Sequence, residues 1–336
     1  MTDGIINVNK EKGFTSHDVV AKLRGILHIK KIGHTGTLDP DATGVLPICV
    51  GRATKVCELL TDHDKTYEAV VALGITTDTL DTTGEVLSRR PVEVTRERLE
   101  EVLTHFRGEI RQVPPMYSAI KINGKKLYEY AREGKEVERK ERVVTIHELT
   151  LLDAELDAQS KTHDEAAECP TFTIRVTCSK GTYIRTLCDD IGRELGCGAA
   201  MASLVRTAVG RFVIDEAMTL AEIEQHVADG DIDTRMLPLE SVFADCPACQ
   251  VTEDAMKLLR NGNPLAREVL TPMAQAGGSD SAAGAAEAGA VSETAGVSAQ
   301  ADMSRIRVYG TDGDFYALYI YNKNKKKYIV EKFFHV

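Results

Sequence analysis

Short β-branched and aromatic runs are interleaved with stretches of helical spacing, in a mixed order rather than a regular alternation of strand and helix. Residues 5–9 read as a strand, and Ser16 can cap an amphipathic helix carrying Val19, Val20, Leu23 and Leu27 on one face. Residues 67–73 read as another strand, and Thr95 opens a helix through Leu99, Val102, Leu103 and Phe106. A strand over 117–122 is expected to end in an Asn123-Gly124 turn, followed by a short helix over 127–132 that Gly134 ends. Residues 143–151 and 172–178 read as strands joined by a long hairpin loop. Past Gly181, the spacing of Ile184, Leu187, Ile191 and Leu195 marks an amphipathic helix closed by Gly196.

A composition shift near Asp245 predicts a second domain, so that 1–244 and 245–336 form the expected division. The second part holds a short helix over 252–260 and strands at 306–309, 315–321 and 328–333, with turns at Asp312-Gly313 and 322–326. The chain has 336 residues, 43% of them hydrophobic, enough for a substantial core. No apolar run approaches membrane-spanning length and the amino terminus lacks a signal-peptide pattern, so a cytoplasmic location is expected. The eight cysteines are mostly scattered, as in a reduced cytosolic protein. Cys246 and Cys249 are spaced as a pair, but no further zinc ligands follow nearby and incidental thiols are the better reading. There is no internal repeat, no Walker-type loop and no HxxxH-like metal spacing, so neither cofactor nor metal is expected.

A net charge of −10 argues against a nucleic-acid partner until its distribution is read. Residues 153–168 hold six acids against Lys161. Residues 274–304 hold four acids and no Lys or Arg, with Ala, Gly or Ser at 21 of 31 positions. Both read as insertions, the second as a disordered loop too poor in large apolar side chains to offset its ordering entropy. The remainder is nearly neutral. Lys121, Lys125, Lys126, Arg132, Lys135, Arg139, Lys140 and Arg142 face only five acids over 121–142, and four lysines cluster over 323–327. Each basic run is either a solvated face or a nucleic-acid contact.

The candidate chemistry lies in Gly33-His34-Thr35-Gly36-Thr37-Leu38-Asp39-Pro40-Asp41-Ala42-Thr43-Gly44, where glycines, threonines and a histidine surround Asp39. The glycines permit conformations and close approaches that a Cβ forbids, and Pro40 restricts both its own φ and Asp39 before it. A tight structural turn uses the same residues. A well-held aspartate can be a nucleophile or a general base if it is ionised against a substrate from which water is largely excluded. That requires a cation and a wall. Lys180-Gly181-Thr182-Tyr183-Ile184-Arg185 offers both, and Arg185 paired with Asp39 would hold its pKa down.

The loop GHTGTLDPDATGVLP is followed in order by Lys65-Thr66-Tyr67, Thr77-Asp78-Thr79-Leu80-Asp81, Pro114-Pro115-Met116-Tyr117-Ser118-Ala119-Ile120-Lys121, Gly181-Thr182-Tyr183-Ile184-Arg185 and Leu204-Val205-Arg206-Thr207. This ordered set, spanning nearly the whole chain, resembles the TruB family of tRNA pseudouridine synthases. The resemblance implies an α+β pseudouridine synthase fold, with a mixed, largely antiparallel sheet flanked by helices and a small β-rich, PUA-like C-terminal domain. It implies isomerisation of uridine 55 in the T loop of tRNA, by base flipping and without cofactor. Asp39 becomes the nucleophile, acting at ribose C1′ or uracil C6. Tyr67 is expected to stack on the flipped base, Arg185 to pair with Asp39, and Tyr183 and Leu204 to line the pocket. His34 is expected to enter the space vacated in the T loop, and Asp81 to stand near the cleft.

The same resemblance makes residues 115–142 a loop closing over the T arm, with Lys10 and Lys121 as RNA contacts, and lets the C-terminal domain meet the acceptor stem. No membrane and no obligatory protein partner are implied, and a monomer is expected. Glu11 stands where many relatives have proline, and Val205 where many have a second arginine. An RNA-binding or tRNA-folding protein acting without chemistry is the rival reading, and an enzyme acting on another RNA a further one. Intact Asp39, Tyr67 and Arg185 favour the tRNA enzyme.

Overall fold

Alternating apolar positions in Lys65–Leu73 and Thr171–Cys178 pair these two strands antiparallel, Tyr67 opposite Val176, and place Ala69, Val71, Ile174 and Val176 in one buried layer. In the computed structural model, which describes residues 3–156, 169–273 and 304–335, the two strands lie within a ten-stranded sheet. Its seven longest strands run in the order Gly4–Lys10, Thr43–Val50, Ala199–Val209, Lys65–Leu73, Thr171–Cys178, Arg142–Glu155 and Gly108–Gln112. Neighbours along it are antiparallel except Thr43–Val50 and Ala199–Val209, which meet in parallel where Val205 and Arg206 face Thr43 and Gly44. The sheet is therefore mixed and largely antiparallel, as expected. Most of the acidic stretch over 153–168 and all but Ser304 of the low-complexity stretch over 274–304 lie outside the described residues.

Helices cover the sheet through the faces that their spacing predicts. Val19, Val20, Leu23 and Leu27 of the Ser16–Leu27 helix pack on Ile6, Val8, Leu46 and Ile48. Leu99, Val102 and Leu103 of Arg96–His105, with Ile184, Leu187 and Ile191 of Ile184–Glu194, join the buried layer of Ala69, Val71, Ile174 and Val176. The first helix starts one residue earlier than read from sequence: Thr15 is its cap, accepting the Asp18 N–H, and Asp18 returns a bond to the Thr15 N–H. Ser16 is buried instead, and its Oγ accepts the Leu38 N–H at 2.9 Å.

Among the strands that escaped the sequence pattern, two lie inside the large sheet. Thr43–Val50 contains Pro47, and Ala199–Val209 is rich in alanine, both weak strand signals, yet both are interior to the sheet. Conversely, the strand expected over 117–122 contracts to Lys121–Ile122 paired with Lys125–Lys126. The carbonyls that an extended ladder would use are engaged elsewhere: Tyr117 O accepts from Arg185 and Ser118 O from the Tyr128 N–H. The Asn123-Gly124 turn forms with both residues at positive φ, and the short helix occupies Leu127–Arg132.

The chain divides into two units, Met1–Leu237 and Pro238–Val336, a little before the composition shift at Asp245. The second unit is β-rich, its five-stranded sheet ordered Leu270–Pro272, Ala248–Val251, Arg305–Tyr309, Phe315–Asn322 and Lys327–Phe333. Val251, Leu259, Ile306, Val308, Ala317 and Tyr319 form its core. No helix among the described residues is long and apolar enough to cross a membrane.

Candidate active site

The Asp39 loop is held from below. Leu38 and Ala42 anchor in the sheet core, Ala42 N–H closes a turn onto Asp39 O at 3.2 Å, and Ser16 fixes the Leu38 amide. Lys10 completes the hold. Fully buried, its ammonium donates to the carbonyls of Glu11, Phe14 and Pro40 at 3.0, 2.7 and 3.1 Å. With three protons and three carbonyls, it has none left for a phosphate, so the expected RNA contact is replaced by a tie that positions the loop. Burial lowers its pKa to about 8, opposed by the charges of Asp39 and Asp41.

Arg185 reaches the loop from the first turn of the Ile184–Glu194 helix. That helix start is fixed by a residue the sequence reading passed over: the buried Gln112 amide accepts the Tyr183 N–H at 3.0 Å and donates to Tyr183 O at 3.2 Å. Arg185 Nη2 lies 3.0 Å from Asp39 Oδ2 and donates to Tyr117 O at 2.8 Å. Its Nη1 donates to Thr79 O at 3.1 Å and lies 3.5 Å from Asp81 Oδ2. Asp81 is itself oriented, its Oδ1 accepting from the Thr79 and Thr83 hydroxyls. The guanidinium is thus buried between two carboxylates and two carbonyls, its side chain 7% exposed, while the Asp39 side chain keeps 43% of its surface open toward the cleft.

The pairing of Asp39 with Arg185 occurs, but its expected electrostatic result does not. Burial in the cleft pushes the Asp39 carboxyl above its usual value, Arg185 pulls it back, and the nearby Asp81 charge pushes up again. The net direction is upward. A carboxylate with a raised pKa binds a proton more tightly, so Asp39 is a stronger base than an exposed aspartate.

Five of the expected site residues line one chamber of about 340 Å³: Asp39, Tyr67, Tyr183, Arg185 and Leu204. Tyr67 is buried in the wall, and its phenol is raised by desolvation and drawn back by Arg206. A larger groove of about 680 Å³ reaches Asp39 from outside and is lined by His17, Asp81, Lys126, Tyr128 and Arg132, among others. His34 stands behind this groove with its ring edge-on to His17, centroids 5.1 Å apart. Burial and the His17 charge lower its pKa, and its Nδ1 accepts the Gly36 N–H at 3.4 Å. Lys121 lies exposed on the Asn123-Gly124 hairpin and is not among the residues lining the chamber, although Ile120 beside it is.

Arg206, also in the chamber wall, was missed as a site residue because the strand that carries it was not read from the sequence. Residues two apart on a strand share a face, so placing Leu204 in the pocket places Arg206 there as well. Among the described residues no group of three or more His, Cys, Asp and Glu side chains could hold a metal ion.

A carboxylate lining a chamber, paired with a buried guanidinium and flanked by a tyrosine and a leucine, can act as a nucleophile or a base on a molecule bound there. The chain belongs to the TruB family of pseudouridylate synthases: the family's N-terminal domain matches residues 24–184, and the tRNA pseudouridylate synthase B C-terminal domain matches 185–244. It is 49% identical to tRNA pseudouridine synthase B of Lachnoclostridium phytofermentans over 99% of both chains. It is equally 49% identical to the Bacillus cytotoxicus protein of that name, over 80% of this chain and 85% of the relative. Among solved structures, a chain of a crystallised Cbf5-Nop10-Gar1 complex superposes with a TM-score of 0.65 at 26% identity, covering 99% of this chain and 85% of the other.

Proposed function

We propose that this enzyme isomerises uridine 55 in the T loop of tRNA to pseudouridine, with Asp39 as nucleophile. The observation that carries the reading is the 3.0 Å pair between Asp39 and the buried Arg185 at the floor of a nucleoside-sized chamber. A base inside a folded loop cannot bring its glycosidic bond to a carboxylate in such a chamber, so the nucleotide flips out of the stack. Tyr67 and Leu204 then flank the uracil, and Asp39 attacks ribose C1′ or uracil C6. The C1′–N1 bond breaks, the base turns, a C1′–C5 bond forms, the bond to Asp39 breaks again and frees the carboxylate, and the C5 proton passes to solvent while N1 gains one. No redox change occurs, and no cofactor is required.

The outer groove supports an RNA partner of this kind. Lys126 and Arg132 stand over the Tyr128 ring, each 5.3 Å from its centroid, beside the exposed Lys121 hairpin. Such cation-flanked aromatics suit a loop with unstacked bases, as the T arm presents. The β-rich second unit, with its lysines over 323–327, is read as a PUA-like module for the acceptor stem. A monomer without an obligatory protein partner, working in the cytoplasm, completes the reading.

Release of tritium from a T-arm transcript carrying 5-tritiated uridine tests it. Wild type releases the label and Asp39→Asn does not, while both bind the RNA. Equal release by Asp39→Asn sinks the nucleophile assignment. Binding without release by wild type favours the second reading, an RNA-folding protein gripping the T arm through Tyr128 and its cations.

A further inference from the structure

Arg206 is the largest of the fully buried side chains, 2% exposed, and it sits in the chamber wall with Asp39, Lys65, Tyr67 and Leu204. The loop around Asp39 is shaped to it. Gly44, at φ +102°, has room for no Cβ because one would stand 2.2 Å from Arg206 O, and a Cβ on Gly36 would lie 3.7 Å from Arg206 Nη1. Across the sheet Arg206 lies directly opposite Tyr67. Its Nε donates to Val45 O at 2.7 Å, but its buried Nη2 has no hydrogen-bond partner among the described residues. No carboxylate forms an ion pair with it there, in contrast to Arg185.

A buried guanidinium without a counter-ion is costly, and a free donor on it adds to the cost. Its field is felt throughout the chamber: it helps burial depress Lys10, Lys65 and His34, and it draws the Tyr67 phenol down. Such an arrangement is retained where negative charge appears during a reaction, since fixed donors facing developing charge need no reorganisation. Uridine isomerisation creates that charge on the base by either route. Attack at C1′ leaves the bonding pair on N1, delocalised over O2 and O4; attack at C6 pushes a pair toward C5 and O4.

We propose that Arg206 is a further catalytic residue, whose guanidinium in the chamber wall stabilises the carbonyl oxygens of the uracil as the base becomes anionic. Arg185 then serves the nucleophile and Arg206 the departing base. The inference rests on the isomerase reading above, and the experiment separates the two.

Single-turnover tritium release and T-arm affinity are measured for wild type, Asp39→Asn, Arg206→Gln and Arg206→Ala, with folding checked by thermal melting. Arg206→Gln is expected to lower the single-turnover rate about 100-fold or more, while the Kd stays within about threefold. For Arg206→Ala, ethylguanidinium restores part of the rate, whereas the neutral isostere ethylurea does not. A folded Arg206→Gln enzyme with wild-type rate, a loss residing entirely in Kd, or equal rescue by the neutral compound overturns the proposal. If Arg206→Ala does not fold, the Arg206→Gln rate and Kd decide. Absence of release from wild type instead removes the isomerase reading itself; release by wild type but not Asp39→Asn, with Arg206→Gln unimpaired, removes only the role of Arg206.

Discussion

The Asp39 loop and the segment over 115–142 border the same groove and are built in opposite ways. The loop is gripped by buried groups: Lys10 on three carbonyls, Ser16 on Leu38, and the Leu38 and Ala42 side chains in the core. The segment hangs on a two-residue hairpin and a six-residue helix. Its ion pairs are surface ones, Lys125 and Lys135 on Glu133 and Arg139 on Glu136. Exposed pairs of this kind contribute about 0–1 kcal/mol each, whereas buried ties hold atoms to fractions of an ångström. A nucleophile needs the second kind of support. A surface that wraps RNA needs only charge, a ring and the freedom to adjust. Rigid and loose construction thus divide the labour of chemistry and grip.

Breaking the rigid side has the largest effect. Arg185→Gln leaves Asp81 facing a neutral amide and strips Asp39 of its cation, so stability measured by urea unfolding falls by about 3–5 kcal/mol. The single-turnover rate falls about a thousandfold. Unchanged catalysis in a folded variant would remove the pair from the mechanism. The second effect is pH. Because burial and Asp81 raise Asp39 above its ordinary 3.8, the carboxylate is lost as pH falls through that raised value. The rate then drops about tenfold per pH unit, beginning above the range of an exposed aspartate. Asp81→Asn removes a charge that pushes Asp39 up and moves this acid limb to lower pH; a limb that stays in place contradicts the coupling.

What was legible in the sequence followed this division only in part. The helix bearing Arg185 announced itself through spacing and Gly181, and Asp39 through its glycines, because both depend on local pattern. The strand that sets Leu204 and Arg206 against Tyr67 did not. Its alanines carry little strand preference, and its two long partners, Thr43–Val50 and Lys65–Leu73, lie more than a hundred residues away. Lys10 misled for a related reason. A lysine at a strand end is usually exposed, and only the folded loop supplies the three carbonyls that bury it. Tyr117 and Ser118 alternate like a strand, but Arg185 and Tyr128 claim their carbonyls, a competition between distant groups that no window of sequence contains.

The loose side is probed by Tyr128→Ala, which removes a ring between two cations and is expected to weaken T-arm binding about tenfold, while the saturated rate stays unchanged. Tyr128→Phe keeps the platform and binds as wild type. A Tyr128→Ala enzyme slowed at saturating RNA would show that this segment also positions the nucleophile. Ser16→Ala tests the converse. It leaves the buried Leu38 N–H unsatisfied and costs about 1–2 kcal/mol in unfolding experiments, with a rate loss and no change in affinity. A weaker Kd with intact rate would place Ser16 on the wrong side of the division.

The smallest effect belongs to Lys121. Its hairpin sets Lys121 directly across from Lys126, with Lys125 beside it, so like charges face each other on a ladder of two residue pairs. Opposed like charges destabilise a strand pair, and a phosphate between them relieves the repulsion. Lys121→Ala should therefore lower T-arm affinity only about two- to threefold near physiological salt, and reduce the slope of log K against log salt by about one. Its catalytic rate is expected to equal that of wild type. An unchanged salt slope would mean that Lys121 meets no phosphate, and the grip would then rest on Lys126, Arg132 and the Tyr128 ring.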